Sequence, residues 1–369
     1  MNWSAMSVVC AGALLVSGYS IAGAQERVPP PAPSPRAGAQ MPAPADPGRG
    51  AGIPPNQASA APGRQAAAPA PSPAAIERAN TVLEAARQAL GGDKLAAVRT
   101  LVGNGRTRRL RGNNIQPIEF ELSIELPDKY LRKDEFPAEE SDPTSTGFNG
   151  TQLLQFPVPQ APPMAARPGG PPPPSAAQLE AQRAARVMTA KQDFVRFALG
   201  IFASNFETYP LTFAWVAEAE APQGKADVLD VRGAGNFAAL LLINRDTHLP
   251  VMLRWQTPPT SVIVTAPGQP APASVAPGAV IVAGPPPPAA GASQAEQEQY
   301  AKDVVALRAK TQASPVEQTI YFQDYRPQDG LQLPFRFRRA IGADTTEETT
   351  FDRYRVNPRI DPKRFEPAK

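Results

Sequence analysis

Apolar and polar residues alternate one for one through residues 118–126. Ile118, Phe120, Leu122, Ile124 and Leu126 take one parity; Glu119, Glu121, Ser123 and Glu125 take the other. A period of two belongs to a β-strand with one face on an apolar interior and the other in water. Pro127-Asp128 supplies a turn, and Tyr130 to Phe136 is expected to return as the next strand. Segments 239–255 and 320–339 then carry one pattern twice: an apolar strand, a turn containing an acid, Leu-Pro, and a second strand. Leu249-Pro250-Val251 and Leu253-Arg254 align with Leu333-Pro334-Phe335 and Phe337-Arg338. Each copy predicts an antiparallel hairpin, with Val251, Leu253, Phe335 and Phe337 on the apolar side and Arg254, Arg336 and Arg338 on the other. Proline is tolerated at the first residue of a strand, so Leu-Pro reads as the start of each return strand.

Further strands are expected at Thr100–Leu110, Leu211–Glu220, Ala226–Arg232, Phe237–Asn244, Pro250–Gln256, Glu317–Tyr325, Leu333–Arg339 and Thr346–Arg355, with a short one at Ser261–Thr265. Helical spacing appears in three places. Ser72-Pro73 opens the first, whose stripe of Ile76, Ala79, Val82, Leu83, Ala86 and Leu90 stops at Gly91-Gly92. The second runs from about Ser175 to Ala203, and its last half is heavily apolar (Phe194, Val195, Phe197, Leu199, Ile201, Phe202). The third opens at Ser293 and Glu296, which have capping-box spacing, and ends near Lys310. About ten or eleven sequential strands with short connections make an antiparallel meander. Its apolar face must curl or be covered by the helices.

Composition limits how much of the chain takes part. Of 369 residues, 46 are Pro and 27 Gly, and the prolines cluster. Residues 25–73 read as a disordered Pro/Ala-rich linker, and 157–174 and 257–290 as Pro-rich inserts. The remainder, roughly 220–250 residues, suits one all-β domain over 74–369. Residues 1–24 read as a signal peptide: Ser7 to Ala24 carries no charge, and Ala22-Gly23-Ala24 is a cleavage site. Export to the periplasm or cell envelope follows. Cys10, the single cysteine, falls inside that segment, so the mature chain is expected to hold no disulfide and no thiolate metal site. The net charge of +3 provides no broad basic field for nucleic acid.

The search for chemistry finds little. His248 is the single histidine and sits in a hairpin turn, where a metal site would lack partners. The carboxylate pairs Asp134/Glu135, Glu139/Glu140 and Glu347/Glu348 are sequence neighbours whose side chains point apart on a strand. Gly103-Asn104-Gly105 lacks the rest of a P-loop, and Gly233-Ala234-Gly235 is followed by no helix. Two arginine clusters stand out: Arg106, Arg108, Arg109 and Arg111, and Arg336, Arg338 and Arg339. Arg106 and Arg108, like Arg336 and Arg338, share a strand face. They read either as a solvated outer face paired to Glu119, Glu121 and Glu125, or as a contact for anionic headgroups during transient membrane-surface binding. The apolar helix at 194–202 reads as a core plug, as a movable lid over an apolar space, or as both.

Several short motifs, in order, resemble exported proteins of the outer-membrane lipoprotein-sorting-protein-like (LolA/LolB-like) superfamily. They are Ala89-Leu90-Gly91-Gly92-Asp93-Lys94-Leu95, Leu126-Pro127-Asp128-Lys129-Tyr130, Gly224-Lys225-Ala226-Asp227-Val228, Asp246-Thr247-His248-Leu249-Pro250, Asp329-Gly330-Leu331 and Asn357-Pro358. The resemblance implies a mainly β (α+β) fold: an unclosed antiparallel β-barrel with helices over its concave face, around a cavity that accepts acyl chains. Cavity candidates are Phe120, Leu122, Ile124, Phe194, Phe197, Ile201, Phe237, Leu241, Val251, Leu253, Phe335 and Phe337. The expected function is non-enzymatic binding of a lipid, acyl chain or lipidated protein, with no cofactor and no metal. The alternative is an adaptor with a filled barrel that acts through envelope protein contacts.

Overall fold

Alternating sequence becomes strand almost throughout. The computed structural model describes residues 70–367, except 112–113, 138–140, 159–173, 222, 271, 273–274 and 277. The expected signal segment, nearly all of the 25–73 linker and most of the 157–174 insert lie outside the described residues. The N-terminal half of the sheet comprises β1 (Thr100–Arg111), β2 (Asn114–Glu125), β3 (Lys129–Glu135), β4 (Thr144–Asn149) and β5 (Gln152–Phe156). The middle of the chain gives β6 (Leu211–Ala221), β7 (Gly224–Gly233), β8 (Phe237–Asn244) and β9 (Pro250–Thr257). After β10 (Ser261–Thr265) and β11 (Ala279–Ala283) come β12 (Val316–Gln328), β13 (Leu331–Ile341) and β14 (Asp344–Val356). Twelve of these form one antiparallel sheet in the order β5-β4-β3-β2-β1-β14-β13-β12-β9-β8-β7-β6. Its edges, β5 and β6, do not pair, so the barrel is unclosed.

The last strand, β14, lies beside the first, β1, and joins the two halves of the sheet. The two copies of the repeated pattern are the neighbouring hairpins β8–β9 and β12–β13. They meet along β9 and β12, where Leu253 faces Ile320. Two sheet strands exceed the sequence expectation. β4 reads Thr-Ser-Thr-Gly-Phe-Asn and β5 spans 5 residues, so neither shows an alternation long enough to recognise. Within the Pro-rich 257–290 insert the short strand expected at Ser261–Thr265 forms, and it gains a partner that was not expected, Ala279–Ala283. Ser-Val-Ile-Val-Thr and Ala-Val-Ile-Val-Ala pair there in a parallel two-stranded ladder. β-Branched runs can pair locally even between prolines.

Helix ends follow the capping chemistry. α1 (Pro73–Leu90) starts at Ser72, whose hydroxyl accepts from the Ala75 N–H, and ends at Gly91. α2 (Asp93–Ala96) is a single turn. α3 (Ala176–Phe202) and α4 (Gln294–Gln312) each begin with a complete capping box, at Ser175/Gln178 and Ser293/Glu296. Residues 176–186 of α3 are exposed, whereas Phe194, Val195, Ala198, Leu199, Ile201 and Phe202 are buried. The buried half lies on the concave face of the sheet. Gly200 is what lets it come so close: a Cβ there would stand 2.4 Å from the Phe322 ring. The Tyr325 hydroxyl lies 2.8 Å from the carbonyl oxygens of both Gly200 and Pro250 and shares its one proton between them, which ties α3 to both hairpins.

Candidate functional site: the concave face

The concave face has an apolar layer and a charged layer. Strand register explains the first. Phe120, Leu122 and Ile124 alternate inward on β2, Leu331, Leu333, Phe335 and Phe337 on β13, and Leu241 and Leu253 face each other across β8 and β9. With Phe194, Ile201 and Phe237 they belong to one buried cluster, and the partly buried Phe197 packs against it. Phe197 stacks on Phe337 and Phe351 at 5.0 and 6.0 Å between centroids. Phe194 contacts Tyr130, Phe148 and Phe206 at 5.2–5.7 Å. Eleven of the twelve cavity candidates therefore come together, and α3 fills the space they surround.

Val251 is the exception. The β8–β9 register slips between Leu242 and Ile243, so Leu242 faces Met252 and Ile243 faces Pro250. Val251 is the extra residue of this bulge. It packs with Ala226, Val228, Leu242 and Met252 in a separate, smaller cluster. A bulge reverses the parity of the strand beyond it, and a one-residue step moves a side chain to the other face.

The charged layer lies on the same face, where the apolar positions stop. Arg109 on β1, Arg132 on β3 and Arg339 on β13 converge on Asp134 of β3 and Glu347 of β14. Arg132 donates to Asp134 at 2.6 Å and to the Thr107 hydroxyl at 3.0 Å, and its guanidinium lies 4.5 Å from the Phe120 ring. Burial alone would raise Glu347, but Arg339, Arg132 and Arg109 outweigh it and hold the carboxyl below its ordinary value. Burial pushes the Tyr130 phenol up to about 12, so it stays protonated. Burial likewise lowers Arg196, which stacks near Phe237 and Trp255 and pairs with Asp193 at 2.8 Å.

Sequence reasoning named the arginine clusters but not this use of them. Arg106, Arg108, Arg336 and Arg338 occupy the opposite, outer face, while Arg109 and Arg339 turn inward. Alternation splits the carboxylate pairs in the same way: Asp134 and Glu347 point in, and Glu348 points out. The outer arginines are engaged, though the acids differ from those expected. Arg106 pairs with Asp352 at 3.2 Å, and Arg108 and Arg336 with Glu348 at 3.8 and 3.5 Å. Arg338 lies 4.0 Å from the Tyr321 ring. His248 is an exposed turn residue with φ 59°.

Clefts formed by the described residues border the concave face. At the C-terminal end of α3, an open cleft of about 380 Å³ is walled by Leu95, Ala96, Val98, Leu126, Pro127, Phe202 and Phe206, together with Arg87 and Arg99. A cleft of about 210 Å³ opens over the charged layer. A more polar groove of about 630 Å³ runs between β5 and the exposed half of α3. Among the described residues, no helix is long and apolar enough to cross a membrane.

No family model matches this chain, and no curated protein does. Several solved structures resemble it. The chain is similar to LolA-superfamily structures. A LolA superfamily protein from Nitrosomonas europaea shares 12% identity at a TM-score of 0.41, covering 78% of this chain and 97% of that one. A putative outer membrane lipoprotein-sorting protein domain from Vibrio parahaemolyticus shares 9% identity at a TM-score of 0.37, with the same coverage. A DUF1329 family protein from Desulfovibrio piger shares 9% identity at 0.36, again over 78% and 97%.

Proposed function

We propose that this protein is a non-enzymatic envelope protein that binds the acyl chain of a lipid or lipidated protein. The cleft at the end of α3 is its point of attachment. One observation carries the reading: the cleft is open, holds about 380 Å³ and is walled mainly by apolar side chains. Leu95, Val98, Phe202 and Phe206 belong to the buried core as well, so this is the place where the apolar interior meets solvent. Its volume falls within the range of small-molecule pockets, about 300–1,000 Å³. Ten buried methylenes would supply roughly 8 kcal/mol before ordering costs. Arg87, which is paired with Glu84, and Arg99 line the same cleft together with Glu207, so its polar side is nearly balanced in charge. The concave wall of Phe120, Leu122, Ile124, Leu253, Phe335 and Phe337 would become a further guest site if α3 moved aside.

A second reading has its own support. α3 packs the concave face, as expected of a filled half-barrel that works as an adaptor through protein contacts. Native mass spectrometry of the gently purified protein, together with titration of a fluorescent fatty acid, separates the two. Acyl binding predicts a co-purifying lipid or saturable probe binding. The substitution Ala96→Glu, at an exposed position of the cleft wall, should weaken probe binding about tenfold or more, because it buries a charge against the chain. A protein that carries no lipid and binds no probe is the adaptor.

A further inference from the structure

The charged layer contains hydrogen-bond donors that the protein itself leaves unused. Arg109 approaches Glu347 and Asp134 at 3.6 and 4.0 Å, and Arg339 approaches Glu347 at 3.7 Å. Charge-assisted N–H···O bonds run at about 2.7–2.9 Å, so these are ion pairs without hydrogen bonds. The Tyr130 hydroxyl, protonated and half-buried, borders the same cleft of about 210 Å³ and donates to no acceptor among the described residues. Half-buried donors normally find acceptors in protein, water or ligand. The charge balance has the matching sign. Three guanidiniums face two carboxylates, and the remaining acid on the wall, Asp193, is neutralised by Arg196. Leu122, Ala190 and Phe197 form the apolar part of the wall.

We infer that this cleft binds a phosphate-bearing group, gripped by Arg109 and Arg339 from two different strands and by the Tyr130 hydroxyl, while Arg132, whose Nε and Nη2 already serve Asp134 and Thr107, adds its positive charge. A phosphate presents enough acceptor oxygens to meet the guanidiniums of Arg109 and Arg339 and the Tyr130 hydroxyl at once, and its second charge suits a site with surplus positive charge. A carboxylate offers two oxygens and one charge. The apolar wall at Leu122 and Phe197 would receive the first carbons of an ester. The volume holds a headgroup and not a whole lipid. The site lies beside the middle of α3 and shares no lining residue with the acyl cleft at the helix's C-terminal end, and the inference does not depend on that reading.

Isothermal titration calorimetry of the full chain at pH 7.5 and low salt tests it, with inorganic phosphate, glycerol 3-phosphate and 1-lauroyl-lysophosphatidate as probes. Saturable binding of inorganic phosphate is expected. It should weaken roughly tenfold or more in Arg339→Gln, which loses a charge-assisted partner. Tyr130→Phe keeps the ring packing and removes only the hydroxyl, so it should weaken binding by several-fold. It decides the matter if circular dichroism shows Arg339→Gln to be misfolded. Lysophosphatidate binding about tenfold tighter than phosphate identifies a lipid headgroup as the source. Equal affinities identify a free phosphate or a small ester. Absence of saturable heat with all three probes overturns the inference, and so does binding that neither substitution weakens. Fatty-acid titration of Arg339→Gln should match wild type, so failure here is distinguishable from failure of the acyl cleft.

Discussion

The hairpins β8–β9 and β12–β13 share one sequence pattern and lie side by side, yet they diverge in three ways. At the turn, β12–β13 closes with Asp329 and Gly330, at φ 53° and 85°, between the paired residues Gln328 and Leu331. This is a two-residue turn with both central residues at positive φ. The β8–β9 turn is longer. There the Asn244 Oδ1 accepts from the N–H groups of Asp246 and Thr247 and from the Thr247 hydroxyl, and His248 takes the left-handed conformation. At the start of the return strand, Phe335 packs edge-on to Tyr354 at 5.2 Å in the core, whereas the aligned Val251 sits in a bulge on the other face. At the far end, Trp255 aligns with Arg339. One hairpin puts an aromatic ring under Arg196; the other puts a cation into the charged layer. A repeat in sequence thus duplicates the number and spacing of apolar residues. The face they reach depends on the hydrogen-bonded register.

Substitutions can break this comparison, and the largest effect is expected in the core. Phe337 touches Phe197, Phe322 and Phe351 at 5.0–5.6 Å, so Phe337→Ala should cost about 3–5 kcal/mol. Val251→Ala, in the small second cluster, should cost about 2 kcal/mol or less. Urea midpoints at unchanged m-value measure both, and equal losses would mean that the two faces are packed alike.

Glu347→Gln comes next. It removes a mostly buried carboxylate shared by Arg109 and Arg339, for a loss of about 2 kcal/mol at pH 7. The folded carboxyl lies below its ordinary value of 4.5, so its contribution is present above that pH and is lost as pH falls through the folded value. The gap in Tm between wild type and Glu347→Gln should therefore close on acidification below about pH 4.5. A gap that stays constant would place Glu347 outside the network.

The turns give the smallest effects. Gly330→Ala should cost about 1 kcal/mol, because φ 85° is unfavourable for a residue with a Cβ. His248→Gly should relieve the same kind of strain and stabilise by about 0.5 kcal/mol. Thermal unfolding of the two variants should shift in opposite directions.

Legibility in the sequence followed the strength of the local signal. Ser72-Pro73 and the capping box at Ser293 placed the starts of two helices, and Gly91-Gly92 placed a stop, because caps act within four residues. The alternation at 118–126 placed β2 and its inward face. Short strands without alternation, such as β4 and β5, were not legible, because their pairing partners supply what their own residues lack. The charged layer was legible only in fragments. Arg109, Arg339, Asp134 and Glu347 each belong to a run of like charge in which the neighbour faces the other way, and nothing local says that the inward members meet.

By itself the sequence determined a mainly β chain with helices at fixed places, an apolar face on most strands, and two matching hairpins, since hydrophobic period and capping are properties of a few adjacent residues. Tertiary structure decided the rest. It set β14 beside β1, inserted the bulge that turned Val251 away, laid α3 along the concave wall, and gathered three guanidiniums from three strands around Glu347. These outcomes depend on which distant strands hydrogen-bond in which register, and a one-residue shift in that register exchanges the faces of an entire strand.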